Sequence, residues 1–340
     1  MSRRGAQTFV YDRPPAVAAH ASIVGPKEGQ GPLADWFDVI LPDDLLGRKS
    51  WEQAESEMVR QAAVRAMNDA GLAQEAAQAM LGGDLNNQII SSSFAARTLG
   101  IPFLGLYGAC STFAESLLLA SALLSGGYLD NALCAASSHF CTAERQFRSP
   151  VELGNQKPPQ ASRTATACGC AALTANASPN QLRVLSGTVG RVIDLQIKDA
   201  NHMGAAMAPA VCACIEAHLS DLGRAPRDYD LIATGDLGWI GRNILMELFH
   251  HDGVDMPDET LVDCGASLFS QEQDAHAGGS GCGCIASVLA GHVLSRMERG
   301  ELGRMLAIGS GALLSLVSSQ QGESIPSIAY AAAIERSQRA

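Results

Sequence analysis

Residues 103–127 read FLGLYGACSTFAESLLLASALLSGG and set Cys110 between an apolar strand-like run and a helix-like run rich in Leu and Ala. A thiol in the first turn of a helix lies in the field of the helix dipole and beside unpaired backbone N–H groups, which favour the thiolate. To act as a nucleophile it needs further groups that take up its proton and polarise the carbonyl under attack. The same helix start, with the hydroxyls of Ser111 and Thr112, suits a bound anion equally well. The chemistry offered is covalent acyl transfer or anion binding, and the rest of the chain has to decide between them.

The elements that position Cys110 occur twice. Residues 68–88 resemble residues 220–240, with Gly71 matching Gly223 and Asp84 matching Asp236, each pair offset by 152. Residues 108–138 resemble residues 281–311, with Gly108, Gly127, Leu129 and Leu133 matching Gly281, Gly300, Leu302 and Leu306, each offset by 173. Each copy reads turn, long helix, Gly stop and then an apolar strand ending in small residues. Helices are expected over residues 51–70 and 204–221. A duplicated α/β unit with strands buried between helices follows, in two halves, 1–180 and 181–340. An inserted loop at about 139–165 belongs to the first half alone.

Composition narrows the function classes. The chain has 340 residues, 47% of them hydrophobic, 17% charged and 5% aromatic, with 34 Gly. Such a chain can bury a large core packed closely through small side chains. A net charge of −11 with 24 Lys plus Arg and no basic stripe excludes a broad nucleic-acid footprint. Any anionic ligand then needs local cations or helix N-termini against the global field. Residues 1–15 lack a continuous apolar core and the longest apolar run, 117–124, falls short of the ~18 residues of a membrane span, so a soluble intracellular protein is expected. The ten cysteines include three C-x-C pairs but no C-x-x-C knuckle, which reads as small buried residues rather than zinc ligands or disulfides.

The repeat pattern with GACST (108–112), TATACGCAALTA (164–175) and HAGGSGCGC (276–284) resembles the thiolase and β-ketoacyl synthase superfamily. That resemblance implies pseudo-duplicated βαβαβαββ halves forming a five-layered α/β/α/β/α sandwich, with the nucleophile at Cys110. A narrower match rests on residues 25–38, 83–88, 136–158, 188–195, 203–210 and 310–315 as well. Together these resemble the stage V sporulation protein AD family, related to β-ketoacyl-ACP synthase III. What this implies is a protein of a spore-forming bacterium that binds dipicolinic acid, alone or with Ca2+, and serves its movement into the developing spore. It also implies membrane proteins of the same sporulation operon as partners, peripheral attachment at the spore inner membrane through them, and a homodimer pairing the strand at 132–138 across a twofold axis.

Condensing enzymes of the superfamily place His, Asn or a second Cys in the second half. Here Gly235 and Asp236 stand at the first of those positions, Gly278 and Gly279 at the next, and Gly309 or Ser310 at the thiolase cysteine. His276 lies two or three residues upstream of its place. A carboxylate at Asp236 raises the pKa of a neighbouring thiol. The reading is therefore a binding pocket inherited from an acyl-binding ancestor, without catalysis. The alternatives are an acyltransferase or ketosynthase using Cys110, and a structural subunit of a membrane-associated complex. Candidate ligand residues are Asp84, Cys110, Ser111, Thr112, His139, Arg145, Arg148, Lys157, Arg191, Asp236, Gly278 and Gly279. Arg145 can equally pair with Glu144, and Asp84 and Asp236 can cap helices. No motif points to a cofactor; GGSGCGC alone is weak support for a nucleotide.

Overall fold

The computed structural model describes residues 2–148, 151–154, 156–176, 178 and 181–337. Part of the inserted loop (149, 150, 155) and the boundary between halves at 179–180 lie outside them. In the first half β1 (Ser2–Arg4), β2 (Thr8–Val10), β3 (Ala16–Val24) and β4 (Val39–Ile40) lead into α1 (Trp51–Asp69) and β5 (Met80–Gly83). There follow α2 (Ile90–Leu99), β6 (Phe103–Gly105), α3 (Thr112–Ser125), β7 (Asn131–Ser138), α4 (Phe140–Phe147), β8 (Arg163–Thr164) and β9 (Ala167–Thr174). The second half runs β10 (Leu182–Val189), α5 (Met203–Leu222), β11 (Leu231–Thr234), α6 (Gly238–Asp252), β12 (Leu261–Asp263), α7 (Cys264–Leu268) and β13 (Gly279–Ser280). It closes with α8 (Cys282–Val288), which passes through a π turn into α9 (Leu294–Glu298), then β14 (Arg304–Ala312), α10 (Leu316–Gln320) and β15 (Ser327–Arg336).

The two halves have the same topology. Strands order as β3-β9-β7-β5-β6 in one and β10-β15-β14-β11-β12 in the other, and β3 meets β10 through two residue pairs, Val17 with Leu182 and Ala16 with Arg183. Helices α3 and α8 lie between the two half-sheets; α1 with α2 and α5 with α6 cover the outer faces. This is the five-layered α/β/α/β/α sandwich of the thiolase-like fold. The matched glycines share one conformation: Gly71 and Gly223 have φ of +64° and +63°, Gly127 and Gly300 +76° and +80°. Each ends a helix in the left-handed region, where a side chain is costly.

Strands β7 and β9 are buried along nearly their whole length, which is why NALCAASS and ACGCAALT show no alternation of polar and apolar residues. Helix α1 starts on Ser50, whose Oγ accepts from the N–H of Gln53, and buries Met58, Val59, Ala62, Ala63, Ala66 and Met67. Helix α5 is long and apolar enough to cross a membrane by length and composition, but more than half of its apolar window is buried, against β14, β15 and α6. Its hydropathy therefore reflects a core position. The expected twofold pairing through residues 132–138 does not hold. Strand β7 is hydrogen-bonded to β5 on one side and β9 on the other, leaving no free edge; β6, with Leu104 half exposed, is the outer strand of that half-sheet.

The position matching Cys110 in the second copy is Gly283, and its lack of a side chain is structural. A Cβ there would lie 2.2 Å from the carbonyl oxygen of Ala167 and 2.7 Å from Ser138 Oγ. Replacing it with cysteine, the residue of the other copy, should destabilise the fold by roughly 3 kcal/mol or prevent folding, since the obstructing atom is backbone. Urea unfolding of Gly283→Cys against wild type measures it.

Candidate functional site

Cys110 sits in a single 3-10 turn, Ala109–Ser111, that leads into α3. Ala109 adopts φ +51°, a left-handed conformation that a non-glycine residue holds only under restraint. The restraint comes from its neighbours. Thr112 Oγ1 donates to the Ala109 carbonyl at 2.8 Å and accepts from Gly108 N–H at 3.1 Å, while Ser111 Oγ donates to the Gly108 carbonyl at 2.6 Å. Both hydroxyls expected to serve a ligand are thus spent on fixing the turn.

The Cys110 thiol is buried and donates to the carboxylate of Asp236, which follows β11. That carboxylate also accepts from Ser280 Oγ at 3.0 Å, Gly281 N–H at 2.8 Å and Ser310 Oγ at 2.8 Å. Burial pushes the thiol well above its ordinary pKa, and the negative charge of Asp236 pushes it further, against smaller opposing contributions from Gly281 N–H and Ser280. The proton stays on sulfur. The helix-dipole argument for a thiolate fails because a fully buried carboxylate sits in direct contact.

Cys110 lines a narrow cavity of about 40 Å³ together with Tyr107, Phe147, Arg148, Thr164 and Ser280. That volume suits a few water molecules, against ~300 Å³ for a typical small-molecule site. Through Tyr107, Phe147 and Leu314 it adjoins a groove of about 700 Å³ flanked by residues 86–89 and 313–317. Arg148 is the cation at the cavity wall. It pairs with Glu144, which also takes Lys157 Nζ. Burial, and then the Arg148 charge, lower the Lys157 pKa to about 8 despite Glu144.

The other candidates lie elsewhere. Asp84 is buried at the start of α2, accepting from Ser92 N–H at 2.7 Å and Asn86 N–H at 2.9 Å. After burial, its charge is among those that raise the pKa of Cys282, with those of Glu55 and Asp236. His139 caps α4: its Nδ1 accepts from Cys141 N–H and its Nε2 faces the Asp44 carbonyl at 2.8 Å, so the ring is a buried neutral brace. Arg145 pairs with Glu52 rather than Glu144 and lies over Trp51. Arg191 is exposed. Gly278 and Gly279 carry no group to the cavity; the Gly278 carbonyl accepts from Arg163 N–H, and Gly279 and Ser280 pair with Arg163 and Thr164 as a two-stranded ladder. His276 turns to Asp274 at 3.5 Å.

Several residues that matter escape sequence reasoning. Ser280 is one residue beyond the glycine pair, and a one-residue change of register on a strand reverses which side chain faces the site. Glu55 lies three and four residues before Met58 and Val59, on the buried face of α1. It accepts from Asn86 Nδ2 at 2.8 Å, Ser137 Oγ at 3.0 Å and Thr142 Oγ1 at 3.2 Å. A charged residue within an apolar stripe was its only signal.

A sequence model of the family described as stage V sporulation protein AD (SpoVAD) matches residues 5–335. The chain is also 42% identical over 336 residues to Stage V sporulation protein AD of Bacillus subtilis (strain 168), covering 99% of this chain and 98% of that one. The chain belongs to the stage V sporulation protein AD family. Solved structures similar to this SpoVAD-family fold include the tetronic acid condensing enzyme AbyA1 (TM-score 0.62, 18% identity, 94% and 99% of the two chains covered). OleA of Xanthomonas campestris, co-crystallised with cerulenin, gives TM-score 0.64 and 14% identity over 98% and 100%. The 3-oxoacyl-[acyl-carrier-protein] synthase III of Aquifex aeolicus VF5 gives 0.57 and 12% over 94% and 99%. At these identities the likeness is one of fold.

The buried acids can be tested one at a time. Asp236→Asn removes the charge beside the thiol, so Cys110 should alkylate with iodoacetamide faster than in wild type, by about tenfold per unit of pKa recovered. Peptide mass mapping resolves it from the other cysteines. Burial raises Glu55 to about 8, with the Asp84 charge adding to it. Between its unfolded pKa of about 4.3 and that value the folded state holds a proton that the unfolded state lacks, so stability falls as pH rises through the window. Glu55→Gln should therefore lose less stability than wild type between pH 5 and pH 8 in urea titrations.

Proposed function

We propose that this chain is a non-catalytic binding protein for dipicolinic acid, pyridine-2,6-dicarboxylate, and that it serves the uptake of this dianion into the developing spore. The observation that carries the reading is the Cys110–Asp236 contact. With burial, it keeps the thiol protonated at the place where a condensing enzyme needs a thiolate, and no His or Asn is among the described residues lining the cavity. What remains at the cavity is a guanidinium, a thiol, the hydroxyls of Tyr107, Thr164 and Ser280, and an apolar wall that includes Phe147 and Leu314. A flat aromatic ring bearing carboxylates matches that combination, with Arg148 as the charge partner and the side chains for the ring faces.

At about 40 Å³ the cavity admits the ring only if side chains at its mouth swing towards the adjoining groove. Family membership supports the sporulation setting; membrane proteins of the same operon as partners, a homodimer, and Ca2+ travelling with the ligand are parts of the same proposal.

Calorimetry with dipicolinate and with pyridine-2-carboxylate tests the reading. Heat and saturation with the dicarboxylate, and binding at least tenfold weaker with the monocarboxylate, are expected; equal or absent heats for both sink it. Intact-mass spectrometry after incubation with acyl-CoA thioesters should show no covalent adduct, and Cys110→Ser should bind dipicolinate within a few-fold of wild type.

A further inference from the structure

Helix α4 is short but sends three residues to the cavity wall: Ala143, Phe147 and the capping residue Arg148. One turn back on the same helix, Glu144 is almost fully buried. Both nearby cations, Arg148 Nη1 and Lys157 Nζ, converge on a single oxygen of Glu144, Oε1. This arrangement is unusual in its charge balance. Two half-buried cations share one carboxylate, and a third, Arg163, lies 3.7 Å above the ring of Phe140, with Lys157 Nζ 5.2 Å from the same ring.

The cations are also under-used. Arg148 Nε and Arg163 Nε are buried without an acceptor among the described residues. A guanidinium left with an unfilled donor in a buried setting forfeits hydrogen bonding that an entering carboxylate would supply. Among the described residues Lys157 donates besides to the Ser162 carbonyl at 3.3 Å, and burial, then the Arg148 charge, lowers its pKa despite Glu144.

We propose that Arg148 and Lys157 are the specificity-determining pair for one carboxylate of an aromatic dicarboxylate ligand, and that Glu144 is the internal carboxylate which the ligand displaces. The inference rests on the reading of this cavity as an anion site and adds to it which groups select the charge. Glu144 holds the two cations together and keeps the site paired when no ligand is bound. An entering carboxylate takes the Arg148 donors, and the Arg148 side chain leaves Glu144 as it opens the narrow cavity. Affinity is then a difference between two carboxylates competing for the same cations, so a ligand with one negative group gains little from the exchange. The inserted loop between β7 and β9 acquires a purpose, since the second copy has no counterpart of these residues.

The test is a calorimetric series on the full chain: wild type, Glu144→Gln, Arg148→Met and Lys157→Met, each checked by thermal melting. With dipicolinate, Glu144→Gln should bind several-fold tighter than wild type. Arg148→Met should bind at least tenfold weaker, the cost of a lost charge-assisted pair, with Lys157→Met weaker in the same direction. Neutral pyridine-2,6-dicarboxamide should show no gain in Glu144→Gln, which separates loss of a competing charge from mere loosening. A folded Glu144→Gln that binds no tighter, or an Arg148→Met that binds as wild type does, overturns the inference while leaving dipicolinate binding standing. If wild type gives no heat with dipicolinate, the functional reading fails, and the same series with benzene-1,3-dicarboxylate decides the cation pair: the same ranking upholds it, and no binding by any variant overturns it.

Discussion

The carboxylate of Asp236 is the interaction on which the site depends. It is fully buried just after β11 and ties together three pieces of chain that are distant in sequence: the Cys110 turn, Ser280 and Gly281 where β13 passes into α8, and Ser310 on β14. Burying a charge is expensive unless every lone pair is engaged, and here thiol, hydroxyls and backbone do so. The Ser111 and Thr112 hydroxyls hold the left-handed turn at Ala109, and Asp236 joins that turn to β13 and the start of α8. Burial and then the same carboxylate raise the pKa of the Cys110 thiol. Placed against a cationic partner, this thiol would be poised to ionise; placed against an anion in a dry site, it is a weak donor and a wall.

Much of the fold was legible because the chain is a duplication. Gly71 with Gly223, and Gly127 with Gly300, fix where two helices stop in each half, and the structure gives the members of each pair almost the same φ. Strands β7 and β9 were readable from their unbroken small apolar runs, since only strands covered on both faces can be so uniform. The failure at residues 132–138 comes from the same source. A run of small apolar residues says that a strand is buried, but not whether neighbouring strands or a second subunit bury it, and here β5 and β9 do.

The site was legible in outline only. Cys110 and Arg148 do share a cavity, and Lys157 stands behind Arg148 through Glu144. Residue type alone marked the other candidates, yet what a polar group does in a fold is decided by which partner reaches it first. The hydroxyls of Ser111 and Thr112, the imidazole of His139 and the carboxylate of Asp84 are each consumed by backbone groups close in sequence or by helix starts. Arg145 found Glu52, ninety-three positions away, instead of the adjacent Glu144. Periodicity cannot report such pairings, because they depend on how α1 and α4 pack.

The two halves also show how one architecture is divided between lining a cavity and packing against itself. At Cys110 the first half keeps a side chain at the head of a central helix, where there is space beside Ser280 and Thr164. At the matching Gly283 the second half brings the helix so close to β7 and β9 that a Cβ would strike the Ala167 carbonyl and Ser138. The glycine is what allows α8 to pack that closely, and the close packing carries Ser280 and Gly281 to within hydrogen-bond distance of Asp236. A cavity-lining side chain in one copy and a forbidden one in the other thus go together: the close packing of the second half at Gly283 builds one wall of the cavity beside Cys110.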